Sequence, residues 1–466
     1  AVARGKNPSM PQMKSIQKSF ESKINPDNKF TLATPLNKKF KGFKDFLQKK
    51  IMAEEAKTNV VNAKLIRGAF YVPWSPLSLY DLRTNGSKLN TIYPEWFFIN
   101  PKTFQLDSRI DKEALSVMKH HNLSVQPILN NFISIPGKQG DFSGELLHTV
   151  LHNPKIQNQL IGQIIATLKT NNLQGINIDF EEMKENSNEF LNAFMKNLYT
   201  QFKRNGLIVS IDIMADNTDY DHNYLKNYTD YFIVMAYDQF NDNSQAGPVS
   251  DQKWIEKQLD QIAKDIPSEK LILGIGAYGR QWITDENGTR TEDLTYSQVI
   301  DRAKISKSSI NFDENSYNLH YAYNFSGSSE EPASKNSVWF TDAATAFNII
   351  RFSDDYRNAG TAIWRLGSED PRIWSFYARD LSTESLKKNP FNYTILEMMP
   401  PNFNSKPTAI GSGEIINILY SPEQGRTRIQ TDKNENLIAS ERYAQLPSGF
   451  LYEKFAEDSS RIGPGH

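Results

Sequence analysis

Cysteine is absent from the 466 residues, which excludes disulfides, thiolate metal sites and cysteine nucleophiles. No apolar run approaches the roughly 20 residues of a membrane-spanning helix. Charge of one sign is also missing: 53 Lys+Arg stand against 54 Asp+Glu, a net charge of −1, so no overall basic field exists to hold a polyanion such as DNA. Internal repeats and low-complexity tracts are not found. What is there is a chain with 39% hydrophobic, 12% aromatic and 23% charged residues, the composition of a globular protein with enough length for a large core. It starts at Ala1 without an initiator Met, which reads as a processed or excised fragment, so that any signal or anchor upstream would be out of view.

Residues 1–50 hold 12 Lys+Arg and 3 Asp+Glu, a local +9 that leaves −10 for the remaining 416 residues. With the turn signal Asn25-Pro26-Asp27-Asn28, the stretch 1–64 reads as a basic lead-in with a short helix near Phe43–Lys57, either a solvated linker or a stem near an anionic surface. From about Leu65 to Leu381, short β-rich apolar runs alternate with longer amphipathic stretches, the pattern of βα units around a parallel sheet. Eight runs are placed at Gly68–Val72, Glu95–Ile99, Ser124–Leu129, Gly175–Phe180, Leu207–Ile213, Tyr231–Met235, Leu271–Ile275 and Thr361–Trp364. Helices are expected at Lys112–His121, Asn153–Thr170, Ser187–Asn205, Asp251–Ile266 and Thr341–Asn358, where apolar residues recur every three or four positions. This predicts an α/β chain, a (β/α)8 TIM barrel over 65–381. A small β-rich lobe is expected within it at about 276–340, between strands 7 and 8. Residues 382–466, with strand candidates Glu414–Tyr420 and Thr427–Gln430, read as a linker or small β module.

The informative stretch is Gln174-Gly175-Ile176-Asn177-Ile178-Asp179-Phe180-Glu181-Glu182. Side chains alternate along a strand, so Ile176, Ile178 and Phe180 share the face toward the helices while Asn177, Asp179 and Glu181 point into the barrel. An amide and two carboxylates in a row there are costly unless hydrogen-bonded or open at the catalytic end. Glu181 falls at the C-terminal end of its strand, where barrel enzymes hold their reactive groups. Clustered carboxylates raise one another's proton affinity and favour one protonated acid at neutral pH. Alternation alone would fit an ordinary strand ending in solvated acids equally well.

The segment resembles the signature strand of glycoside hydrolase family 18, Asp-Gly-x-Asp-x-Asp-x-Glu, with Gly175, Asp179 and Glu181 matching and with Gln174 and Asn177 in place of its first and second aspartates. Val234-Met235-Ala236-Tyr237-Asp238 resembles the family's sixth-strand Met-x-Tyr-Asp element, and Ala362-Ile363-Trp364 its eighth-strand tryptophan. Val125-Gln126-Pro127-Ile128-Leu129-Asn130-Asn131-Phe132 and Trp364-Arg365-Leu366-Gly367-Ser368-Glu369-Asp370-Pro371 look most like a bacterial branch related to spore-wall hydrolases and to fusions with a polysaccharide deacetylase and a glycosyltransferase. The tail at 405–460 resembles the connector before such a deacetylase. The resemblance, over about 65–381, implies a retaining hydrolase of β-1,4-linked N-acetylglucosamine polymers in which the substrate's own acetamido oxygen attacks. It implies Glu181 as acid and then base, Asp179 on the acetamido N–H, Tyr237 on the acetamido oxygen, Asp238 as positioning the sugar or Glu181, and Trp364 as floor of the reacting sugar's subsite; Asn177, which departs from the family pattern but can donate and accept hydrogen bonds, is a candidate substrate-binding residue. Trp74, Tyr278 and Trp282 are candidate further sugar platforms, with core packing the equal alternative. It needs no cofactor or metal, and places the protein outside the cell or on its surface.

Gly274-Ile275-Gly276-Ala277-Tyr278-Gly279 fits a dinucleotide G-x-G-x-x-G string, but no helix is expected after it to meet a pyrophosphate. His148 and His152 have metal-compatible spacing without a third ligand, and read as surface histidines. Two non-enzymatic readings remain beside the glycosidase: a glycan-binding barrel that keeps the cleft, and a structural module with no sugar affinity.

Overall fold

The computed structural model describes residues 65–382, save 135–136, 138–139, 184–187, 309 and 314, together with residue 385 and the strands at 415–421, 425–431, 437–445 and 451–453. The lead-in with its helix near Phe43–Lys57 lies outside the described residues, as does much of the 405–460 connector.

Eight parallel strands form the barrel. They are β1 (Ile66–Tyr71), β2 (Thr91–Pro94 continued by Phe97–Ile99), β3 (Ser124–Val125 continued by Ile128–Asn130), β4 (Gly175–Asp179), β5 (Ile208–Ile213), β6 (Tyr231–Met235), β7 (Leu271–Gly276) and β8 (Gly360–Trp364). Each pairs in parallel with the next, and β8 pairs back onto β1 through Ile66 with Gly360 and Ala69 with Ile363. The ring is closed although two strands are broken. The breaks fall at Pro94 and Pro127, which have no N–H to give a ladder. The two halves of β2 pair with the two halves of β3, Ile92 beside Val125 and Phe97 beside Leu129. The sequence reading located all eight strands but caught only the second half of β2, because the proline and the polar residues around it mask the first.

The five expected helices form at Lys112–His120, Pro154–Thr170, Glu189–Arg204, Gln252–Ala263 and Ala343–Asp355. Each begins behind a side-chain cap: Asp111, Asn153, Asn188, Asp251 and Asp342 accept from backbone N–H groups of the first turn, at about 1 kcal/mol apiece. Their apolar stripes pack on the outward residues of the strands in one continuous core. Inside the ring, Phe70, Tyr93, Ile128, Ile233, Ile272 and Ala362 form a separate apolar plug, so the barrel is filled below its mouth.

Between β7 and β8 the chain builds a five-stranded antiparallel sheet, in spatial order Gly288–Leu294, Gly279–Asp285, Ser334–Phe340, Leu319–Phe325 and Asn311–Phe312, with a helix at Tyr296–Ile305. A further four-stranded antiparallel sheet runs in chain order through Ile415–Ser421, Gly425–Thr431, Leu437–Gln445 and Leu451–Glu453.

At the base of the barrel, Arg67 of β1 is buried against Asp354, Nη2 to Oδ2 2.6 Å, with side-chain exposures of 3% and 1%. Its Nε donates to the carbonyl of Tyr377 at 2.7 Å and its Nη2 to that of Arg379 at 2.8 Å, tying the segment after β8 to the first strand. Removing one partner of such a pair leaves a buried charge uncompensated, at about 3–5 kcal/mol. Arg67→Met is therefore expected to lower unfolding stability by about that amount, and Arg67→Met with Asp354→Leu to recover most of it in urea denaturation. Equal loss in single and double variants would show that the carbonyl contacts, and not the ion pair, carry the site.

Candidate active site

On β4 the alternation places Ile176 and Ile178 in the outer core and sends Asn177 and Asp179 inward. Above the plug, the C-terminal ends of the strands surround a cavity of about 500 Å³. Asp179, Glu181, Tyr237, Asp238, Trp364 and Trp74, all singled out in the sequence, line it. Glu95, Asn130, Asp212, Met214, Met235 and Asp293 line it as well.

Glu181 stands where β4 ends, and its main chain is fixed from outside the strand. The Asn131 amide accepts from the Glu181 N–H at 3.0 Å and donates to the Glu181 carbonyl at 2.8 Å, while the Tyr220 hydroxyl donates to the Phe180 carbonyl. The turn that follows takes Glu182 to φ 61, and its carbonyl passes over Gly144, where a Cβ would stand 2.3 Å from that oxygen. Across the cavity, Asp238 at φ 55 meets two groups from beyond β7: the Tyr278 hydroxyl donates to it, and Arg280 Nη2 lies 3.0 Å from its Oδ1. Arg280 also holds Asp293 at 2.8 Å and the Phe240 carbonyl at 2.8 Å. Trp364 packs on Phe70 with ring centroids 5.3 Å apart, and the exposed ring of Trp74 lies 4.5 Å under the Arg365 guanidinium.

Three expected site residues take other places. Asn177 is fully buried beneath the cavity, its amide donating to Ser210 Oγ at 2.9 Å and Asp212 Oδ1 at 2.8 Å, so it reaches the cavity only through its partners. Tyr278 stands behind Tyr237, edge to face at 6.4 Å, its hydroxyl spent on Asp238. Trp282 is 3% exposed and its indole N–H points to the carbonyls of Asn241 and Ser244. Neither ring lines the cavity. The glycine string 274–279 joins β7 directly to another strand, Gly279–Asp285, and the His148 and His152 rings lie tilted against each other with centroids 3.9 Å apart. Among the described residues no group of three or more His, Cys, Asp or Glu has the arrangement of a metal site.

Asp212 and Glu95 are not among the residues to which the sequence motifs point. The alternation of Ser210 and Asp212 within β5 would have revealed the first, in phase with Asn177 and Asp179. Glu95 sits at the break in β2, where no periodicity applies.

Carboxyls gathered over an apolar plug hold protons. Burial, followed by the charge of Glu95, raises Asp179 above the ordinary carboxylate range. Burial, followed by the charges of Asp179 and Asp212, raises Glu181. Asp212 is raised by burial and by Asp179, and Glu95 by burial, opposed by its hydrogen bond with Trp74. The site thus sets a carboxyl with raised proton affinity, suited to give up a proton as a general acid, beside a cavity large enough for a sugar ring, with an aromatic floor and a tyrosine opposite.

Compared with known proteins, the model of glycosyl hydrolases family 18 matches residues 70–370. A protein of Bacillus subtilis described as a sporulation-specific glycosylase is 26% identical over 235 residues, which is 49% of this chain and 55% of that protein. The cortical fragment-lytic enzyme of the same organism is 21% identical over 273 residues, 56% of this chain and 60% of the enzyme. The chain thus spans a little over half the length of these relatives. Among solved structures, a chitinase of Chromobacterium violaceum has a TM-score of 0.59 at 21% identity, covering 66% of this chain and 96% of that one. The spore cortex-lytic enzyme of Bacillus megaterium has a TM-score of 0.58 at 21% identity, covering 68% and 74%. At such identities the structures speak for the shared fold.

Because Asp179, Glu181 and Asp212 hold protons more tightly folded than unfolded, stability is full below about pH 4 and is lost as pH rises through their raised values. Glu181→Gln cannot ionise. Thermal unfolding followed by circular dichroism is expected to give this variant no advantage at pH 4 and a midpoint several degrees above wild type at pH 8. An advantage independent of pH would mean that Glu181 ionises as readily in the fold as in the open chain.

Proposed function

Because this chain belongs to the glycosyl hydrolases of family 18, we propose that it hydrolyses β-1,4 bonds of an N-acetylglucosamine-containing polysaccharide, with retention and with the substrate's acetamido oxygen as nucleophile. The observation that carries this reading is the placement of Glu181 at the rim of β4, where burial and neighbouring carboxyls raise its hold on a proton, with Asp179 below it and Tyr237 across the same cavity.

A sugar seated on Trp364 would present its glycosidic oxygen to Glu181 and its 2-acetamido group to the space between Asp179 and Tyr237. Glu181 gives its proton to the leaving oxygen as that bond breaks, while the acetamido oxygen closes on the anomeric carbon. Asp179, once ionised, accepts from the acetamido N–H and offsets the positive charge of the cyclic intermediate; the Tyr237 hydroxyl donates to the acetamido oxygen and aligns it. Glu181, now a carboxylate, takes a proton from the incoming water and returns to the acid form, so protons balance over the cycle. Asp238, held by Tyr278 and Arg280, lies where it can accept from a sugar hydroxyl, and Trp74 extends the apolar surface outward. The polymer belongs to the chemistry shared by the relatives' names, chitin on one side and spore-cortex wall on the other, which supports action outside the cell or at its surface.

Glu181→Gln is expected to lower turnover of chito-oligosaccharides and of wall glycan fragments by about 10²–10⁴-fold while binding, read by calorimetry, stays within a few-fold. Equal turnover in variant and wild type would remove Glu181 from the chemistry. Binding without turnover in both would make the barrel a glycan receptor, and neither binding nor turnover would make it a scaffold.

A further inference from the structure

The hydrolysis proposed above leaves the buried carboxyl of β5 without a role. Asp212 is 3% exposed, lies on β5 and lines the cavity. Continuing the register that sets Asn177 beside Ser210 and Ile178 beside Ile211 brings Asp179 beside Asp212 on neighbouring strands about 4.8 Å apart. Both side chains point inward at the same level. One layer below, Asn177 gives both of its amide hydrogens away, to Ser210 Oγ and Asp212 Oδ1. Asp179 Oδ1, shielded from solvent, has no hydrogen-bond partner.

These contacts have a direction. An amide that donates to Asp212 orients that carboxyl but cannot accept a proton from it, so nothing passes down the strand to position 177. The remaining partner for a proton is sideways, across the seam between β4 and β5. We propose that Asp212 is a positioning residue for this reaction, sharing one proton with Asp179 and taking it up when Asp179 must be charged.

The exchange is a proton transfer alone. The O–H bond of Asp179 breaks, an O–H bond forms on Asp212, and the pair keeps its single negative charge throughout. Asp179 then faces the acetamido group as a carboxylate, and its charge helps keep the proton on Glu181 until the leaving oxygen draws it off. When the intermediate opens, the proton returns. The titratable groups that face Asp212 are Asp179 and Glu181 from β4, Tyr93 from β2, Tyr220 from the loop after β5 and Tyr237 after β6. None is a cation, so a neighbouring carboxyl is what limits the ionisation of Asp179 from this side.

The proposal rests on the hydrolase reading for its role but not for its test. Carbon-13 NMR titration of the aspartate carboxyls, in the absence of substrate, is expected to show Asp179 titrating above the ordinary range in wild type and moving down by about one pH unit in Asp212→Asn. The swap variant Asn177→Asp with Asp212→Asn, which puts the carboxyl back one strand over with the amide opposite, is expected to restore the high value. On an oligosaccharide substrate, Asp212→Asn is expected to move both limbs of the kcat profile to lower pH and to cost about 10-fold at pH 7, with KM within two-fold and with recovery in the swap. An Asp179 titration that does not move in Asp212→Asn overturns the shared proton, whatever the turnover. A moved titration in a protein that turns over no glycan keeps the shared proton and removes the hydrolysis. A uniform loss of kcat with unshifted limbs and no recovery in the swap shows Asp212 to be structural.

Discussion

Everything in this molecule turns on carboxyl groups gathered above an apolar plug. Inside the barrel, Phe70, Tyr93, Ile128, Ile233, Ile272 and Ala362 exclude water, and directly over them stand Asp179, Asp212, Glu181 and Glu95. Asp238 has an arginine beside it, at 3.0 Å, and Glu95 feels the charge of Arg109; Asp179, Asp212 and Glu181 share their surroundings with amides, aromatic rings and one another. In such a place burial and neighbouring negative charge tighten a carboxyl's hold on its proton, most of all at Glu181. That property makes Glu181 an acid, and the same property works against the stability of the fold as pH rises.

A reactive group of this kind is useful only if it is held still, and what holds it comes from other strands. Asn131, just past β3, grips both sides of the Glu181 peptide; Tyr220, past β5, grips the one before it. The sheet between β7 and β8 supplies Arg280, and Tyr278 lies on the approach to it, so the inserted chain fixes Asp238 although it adds no aromatic platform to the cavity. The floor, the acid and the tyrosine are thus carried by three different βα units, and their spacing is a property of the closed ring.

Much of this was open to reading along the chain. The eight strands and five helices follow from apolar periodicity and from Asx caps, and the inward face of β4 from simple alternation. Trp364 and Tyr237 could be found because each sits at the end of a strand with a recognisable neighbourhood. Of the three platform candidates, Trp74 lines the cavity while Trp282 and Tyr278 took the packing alternative, for a physical reason: a tryptophan or tyrosine near a strand end looks the same whether its polar atom meets a sugar or an acceptor of its own chain, and these two each met their own chain. The first half of β2 was lost to Pro94; Glu95 stands at the head of the run Glu95–Ile99, but the break that puts this carboxyl in the cavity also interrupts the alternation that would have shown where it points.

By itself the amino-acid order determined which residues alternate, where helices begin, and that an amide and two acids share one face of the fourth strand, since these depend on neighbours a few positions away. It could not decide that Asp212 would stand beside Asp179, that Asn131 would hold Glu181, or that Arg280 would meet Asp238. Those pairings join residues some 33 to 50 positions apart, and only closure of the barrel, which sets the register of each strand against the next, brings them within reach of a hydrogen bond or a shared proton.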